Sequence, residues 1–263
     1  MQRLALAAVI LNCAIADCAF AHQKWLWPNV FAQDAAPAWI SFDVSWSDQP
    51  FTAAQGVGEQ LLSIVGPDGN RSTPAEVFAG KTKTTAEIEL TKAGTYRLEA
   101  ADAPTYWTRI DADGKEQWIK KPKTEVSSGK ITRADFYYSE AVTYVTVGSP
   151  SEQPPPEAKD PLEISLKTHP ARITAGEEIE LQVLSYGKPV ENARINVFGP
   201  TTAGHDPEQT IDGNKDGVAK LKFAGPGRHL LSCDVERPVK DDPKTDMHSF
   251  HAYVTLSVAE AKP

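Results

Sequence analysis

From Ile40 to Trp46 the stretch AWISFDVSWSD (38–48) alternates strictly between apolar and polar residues. Ile40, Phe42, Val44 and Trp46 share one face, and Ser41, Asp43 and Ser45 share the other. A polarity period of two marks a strand with one buried face. LLSIVGPDGNRS (61–72) reads as a strand running into a Pro-Asp-Gly turn. TRIDADGKEQWI (108–119) reads as a hairpin around Asp113-Gly114. EIELQVLSYGKPVENARINVFG (178–199) gives two further strands joined near Gly187, Lys188 and Pro189. Near the C-terminus, Phe250, Ala252, Val254, Leu256 and Val258 alternate with His251, Tyr253, Thr255 and Ser257. No window sustains a helical period. The chain is expected to be all-β.

SPSEQPPPEAKDP (149–161) interrupts this pattern with three consecutive prolines in a charged, apolar-poor setting. Such a segment is stiff and extended, not a folded element. It divides the chain into a leader at 1–21, an N-terminal β-domain at 22–148 and a C-terminal β-domain at 162–260. The two halves echo one another. AEIELTKAGTYRLEA (86–100) matches AKLKFAGPGRHLLSC (219–233), each a strand followed by Gly-x-ring-x-Leu. Tyr96 and His229 occupy the same place in that echo. Sandwich domains often put a tyrosine corner there, a ring that bonds back to the preceding turn. Two tandem immunoglobulin-like β-sandwich domains joined by the Pro-rich linker are expected.

Composition narrows the function. The 263 residues carry a net charge of −8, which gives no electrostatic case for nucleic acid or anionic lipid. The first 21 residues have the form of a secretory leader: Arg3, the apolar run LALAAVIL, then Ala19-Phe20-Ala21 as a cleavage tripeptide. The apolar run is shorter than the roughly 20 residues a membrane span requires. Cleavage after Ala21 sends the protein to the periplasm or the exterior, with His22 as its first residue and no direct membrane insertion. Cys13 and Cys18 leave with the leader. Cys233 then stands alone, so no internal disulfide is expected.

AHQKWLWP (21–28), together with PLEISLKTHPARITAGEEIELQVLSYGKPVENARINVFG (161–199), resembles the periplasmic family of unknown function known as NikM-like. ADFYYSEAVTYVTVG (134–148) is a looser version of that family's strand before the linker. The resemblance implies a periplasmic protein associated with nickel or cobalt uptake, whose partners are a metal ion and a membrane metal-uptake transporter.

An amino-terminal histidine adds chemistry to that picture. The α-amine and ring Nδ1 of His22 can chelate one ion, and a second imidazole completes a planar set suited to copper or nickel. The first half holds no other histidine. The second imidazole is therefore sought in DMHSFHAYVTLSV (246–258), from His248 and His251, with Asp246 adding an oxygen. Three-residue spacing sends His248 and His251 to opposite faces of a flat strand, so their convergence requires a bend at the strand's entrance. Among the rest, His229 is expected at a packed corner and His169 in an exposed turn, with His205 in reserve as a ligand. IDGNKDGVA (211–219) lacks the distal glutamate of a calcium loop and reads as a hairpin turn. Tyr106, Trp107 and Trp118 are the carbohydrate-binding candidates. No Gly-x-Ser-x-Gly elbow or His-Glu-x-x-His pair is present. The expected function is a non-enzymatic metal-binding accessory protein handling nickel, cobalt or copper. The alternatives are a metal-free scaffold that holds protein or glycan, and a copper-dependent oxidase or monooxygenase.

Overall fold

The structure is a computed structural model that describes residues 23–58, 61–156, 158–202 and 204–261. The first half supplies β1 (Gln23–Pro28), β2 (Ala32–Gln33), β3 (Ala38–Ser47), β4 (Leu62–Val65), β5 (Arg71–Ser72), β6 (Glu76–Ala79), β7 (Thr84–Leu90), β8 (Gly94–Ala101), β9 (Thr105–Ala112), β10 (Lys115–Ile119) and β11 (Lys130–Val147). The second supplies β12 (Glu163–Leu166), β13 (Glu178–Ser185), β14 (Lys188–Pro189), β15 (Arg194–Phe198), β16 (Gln209–Asp212), β17 (Val218–Lys222), β18 (Gly227–Pro238) and β19 (Met247–Val258). Helix is limited to short 3-10 turns among the described residues, Lys123–Glu125 and Pro170–Arg172 among them.

One outer sheet has the order β1-β3-β7-β6, and the other joins β12, β13 and β14 with β17. A sheet of eleven strands lies between them, β16-β15-β18-β19-β11-β8-β4-β5, with β2 and the β9–β10 ribbon attached along β11. Its two faces carry separate cores. Ala141, Val145 and Val147 of β11 pack with β1, β3 and β7 in one core. Tyr138, Val142 and Tyr144 of the same strand pack with β12, β13 and β17 in the other. Residues 138–147 are buried without a break, because both faces of this strand are covered.

The Pro-rich segment joins the halves in sequence, and the shared sheet joins them in space. β11 and β19 pair in parallel from Asp135 opposite Met247 to Thr143 opposite Thr255. The linker is docked. Thr95 N–H donates to Ser151 Oγ (2.9 Å), Ser185 Oγ donates to the Pro161 carbonyl (2.7 Å), and Arg97 Nη1 reaches the Pro156 carbonyl (3.4 Å). Beneath it, the Arg97 guanidinium sits 3.0 Å from Glu140 Oε1 and 3.3 Å from Glu99 Oε1. Full burial pushes the Glu140 carboxyl up to about 8 against the pull of Arg97, and the carboxylates of Asp160, Glu99 and Glu163 add to the push.

The expected corners are present in both halves. Tyr96 Oη donates to the Lys92 carbonyl (2.8 Å) and accepts from Lys92 N–H (2.9 Å). His229 Nε2 contacts the Gly225 carbonyl at 3.0 Å, again four residues back. In each half the corner carries the chain from an outer sheet into the shared one, β7 to β8 and β17 to β18.

Candidate functional site

β19 keeps an unbroken register to β18 from Met247 to Val258, and to β11 from Met247 to Thr255. No bend draws His248 toward His251, so the two rings lie on opposite faces of the shared sheet and each belongs to its own cluster. His22 lies outside the described residues. Asp246 is ion-paired with Lys123 at the loop before β19.

His251 faces the first core. Its Nδ1 lies 2.6 Å from Asp234 Oδ1, the residue directly opposite on β18. Its Nε2 lies 3.0 Å from Ser249 Oγ, and its ring packs 5.1 Å from Tyr137. A carboxylate on Nδ1 fixes the proton there and leaves Nε2 as the acceptor. The start of β1 reaches the same place. Lys24 Nζ is fully buried, 3.2 Å from Asp102 Oδ2 and 3.4 Å from the Ser139 carbonyl, with the Trp46 ring centroid at 5.1 Å. Ser139 is the strand partner of His251. Burial pulls the Lys24 pKa down, and Asp102 offsets part of that. β1 then runs away from His251, so that Trp27 ends beneath the Arg228 guanidinium at 3.8 Å. Near the β1 start, the Asp48 carbonyl is met by His205 Nδ1 at 3.0 Å. Among the described residues, no three His, Cys, Asp or Glu side chains are arranged to hold a metal ion.

His248 faces the second core at its open end, within a row of rings. Tyr106 lies 5.1 Å from Phe136, Phe136 lies 5.5 Å from His248, and His248 stacks on Phe250 at 5.4 Å. Tyr186 closes the row, edge-on to Phe250 at 6.0 Å. Phe250 is buried, Tyr106, Phe136 and His248 are half-buried, and Tyr186 is 52 % exposed. Tyr186 and Gly187 form the two-residue turn between β13 and β14, both with positive φ (51° and 72°). That turn favours Asn-Gly or Asp-Gly, and Asp113-Gly114 between β9 and β10 obeys the rule. A tyrosine there is backbone strain with an exposed ring as its result.

The remaining sequence candidates fall elsewhere. Trp107 and Trp118 flank the β9–β10 ribbon beside Lys120 and Arg109, whereas Tyr106 belongs to the ring row. His169 is buried, not exposed: its Nδ1 accepts from Ala171 N–H (3.2 Å) and its Nε2 lies 3.5 Å from Thr95 Oγ1 of the shared sheet. Cys233 is fully buried, and burial lifts its thiol to about 12. Asn214 Oδ1 accepts from Asp216 and Val218 N–H in an ordinary hairpin turn. Sequence reasoning missed Asp234, Phe136 and Tyr186. Only the register across β18, β19 and β11 brings the first two to a histidine.

Fold and clusters together define an all-β protein of the immunoglobulin-like sandwich class. Residues 19–237 match the family described as a domain of unknown function, DUF4198, and the chain belongs to that family. No curated protein matches it at a significant level. Among solved structures it is similar to FdeC, a broadly conserved Escherichia coli adhesin, at 14% identity and a TM-score of 0.25, over 92% of this chain and 65% of that one. It is similar also to the D0-D1 domain of intimin, at 15% identity and a TM-score of 0.21, over 88% of this chain and 96% of that one. A biofilm-associated protein's BSP domain gives 11% identity and a TM-score of 0.21, over 90% of this chain and 30% of that one. Likenesses this distant carry no functional argument.

Proposed function

We propose that this protein is a non-catalytic binding module, acting outside the cytoplasm, that holds a carbohydrate polymer on the aromatic end of the shared sheet. The rings of Tyr106, Phe136, His248 and Tyr186, half-buried or exposed around the buried Phe250, are the observation that supports it. Aromatic faces offer apolar area in a fixed geometry, and the C–H faces of sugar rings are flat and apolar enough to lie on them. Electrophoresis through gels containing a panel of neutral and acidic polysaccharides tests the reading. Migration is expected to slow on at least one polymer and to recover in Tyr186→Asn. A wild-type protein slowed by none of them overturns the reading.

A second reading is favoured by the Asp234–His251 pair. In it, His251 Nε2 receives a nickel, cobalt or copper ion together with the amine and imidazole of a cleaved His22, for delivery to an uptake transporter. Histidines that ligate metals commonly hand their other nitrogen to a carboxylate, and Lys24, two residues beyond His22, reaches the carbonyl of Ser139, the strand partner of His251. Copper or nickel titration of the cleaved protein is expected to show binding that His251→Ala abolishes and His248→Ala leaves intact. One extra residue before His22 is expected to abolish it too. Equal affinity in all four proteins removes this reading.

A further inference from the structure

We infer that the polymer held by the ring row is an acidic polysaccharide, its sugar rings carrying carboxylate or sulfate; the inference rests on the binding-module reading above. Three cations flank the row. Arg237 stands directly opposite His248 on β18, on the face of the second core, where Val235 also packs. Lys244 Nζ lies 5.8 Å from the Tyr106 ring centroid. The stem of Lys159 lies along Gly187, beside Tyr186, where a Cβ on that glycine would meet Lys159 Cγ at 3.3 Å. All three residues are exposed, and none forms an ion pair among the described residues.

Unpaired cations are common among the described residues, Lys81, Lys115 and Lys240 being others, so what distinguishes these three is where they stand along the ring row. Cations stand at both ends and in the middle of the aromatic row; the nearby carboxylates of Asp242 and Glu163 accept from the backbone N–H of Lys244 and Lys159, not from their ammonium groups. Solubility does not require such an arrangement, since any distribution of net charge serves it. A ligand that presents flat apolar rings and regularly spaced negative groups satisfies both features. Arg237 would bind its carboxylate or sulfate in a two-pronged fashion, as guanidinium groups do. The lysines would act as point charges. The strained Tyr186 would stack on the sugar nearest Lys159. A neutral polymer would leave the cations idle, and a polyanion without rings would leave the aromatics idle.

The test measures affinity for polygalacturonate, dextran sulfate, neutral dextran and polyphosphate at low salt, for the full chain and its variants. Polygalacturonate or dextran sulfate is expected to bind at least about tenfold more tightly than dextran or polyphosphate, a difference of ~1.4 kcal/mol. That preference should shrink as added salt screens the charges. The double variant Arg237→Gln/Lys244→Gln is expected to lose the preference for the acidic polymers, and Tyr186→Asn, which removes the most exposed ring of the row, to lose affinity by about tenfold, as loss of an aromatic anchor does. All of these substitutions are on exposed residues, and unfolding curves verify the fold. Tyr186-dependent binding of dextran equal to that of the acidic polymers overturns the charge assignment and leaves the module reading standing. Equal binding of polyphosphate overturns the role of the rings. Binding of no polymer overturns both the inference and the module reading.

Discussion

Tyr186 is the residue at which local preference and observed conformation disagree most. The Tyr186-Gly187 turn needs positive φ at both positions, and for a tyrosine the left-handed region costs roughly 1–2 kcal/mol. Asparagine accepts that region, and Asn-Gly is the favoured pair for this turn. Tyr186→Asn is therefore expected to raise stability by about 1 kcal/mol, read as a higher urea midpoint with unchanged slope; a lower midpoint would contradict the strain argument. Tyr96 makes the opposite case. Its hydroxyl both donates to and accepts from Lys92, so Tyr96→Phe is expected to cost about 1 kcal/mol without altering the fold. This corner was legible in the sequence, because a repeated Gly-x-ring-x-Leu pattern announces it. The ring at Tyr186 was not: SYGKP reads as a turn, and nothing in a turn motif tells which side chain it will hold out.

At the scale of the elements, β19 decides the functional picture. Its alternation was legible from Phe250 onward, and so was the separation of His248 from His251 in a flat strand. The partners of the two rings were not. Asp234 meets His251 through the β18–β19 register, and Phe136 meets His248 through a parallel pairing with β11 across more than a hundred residues. Long-range parallel pairing leaves no mark in local polarity, since a strand covered on both faces reads as a continuous apolar run. The buried His169 has the same origin: its proline turn was visible, but its contact with Thr95 in the other half was not. A prediction belongs to this scale. Asp234→Asn keeps the shape beside His251 but removes the charge that favours a proton on Nδ1. Ring 15N shifts are expected to place the neutral imidazole's proton on Nδ1 in the wild type and to lose that preference in the variant, and the same tautomer in both would separate the two side chains in solution.

For the whole molecule, the shared sheet makes each half a support for the other. A chain cut at Gly148 would bare the β11 edge from Asp135 to Thr143, along with Tyr138, Val142 and Tyr144. The intact protein is accordingly expected to unfold in one transition, with near- and far-UV signals coincident. Two separated transitions would contradict a sheet common to both halves. The junction also has a pH signature. Glu140 holds its proton in the folded state up to about 8, against 4.5 for an ordinary glutamate. Its raised pKa stabilises the fold fully below about 4.5, and that contribution is lost as pH rises through 8. The urea midpoint of the wild type is expected to fall relative to Glu140→Gln across that window, and parallel curves would remove the effect.

The measurement that bears most directly on the aromatic end pairs two readouts on one variant: polygalacturonate affinity and urea midpoint, for the wild type and Tyr186→Asn. A strained ring kept for ligand contact predicts that the midpoint rises while affinity drops by about tenfold. Undiminished affinity in the more stable variant would show that the ring row is not where the ligand lies.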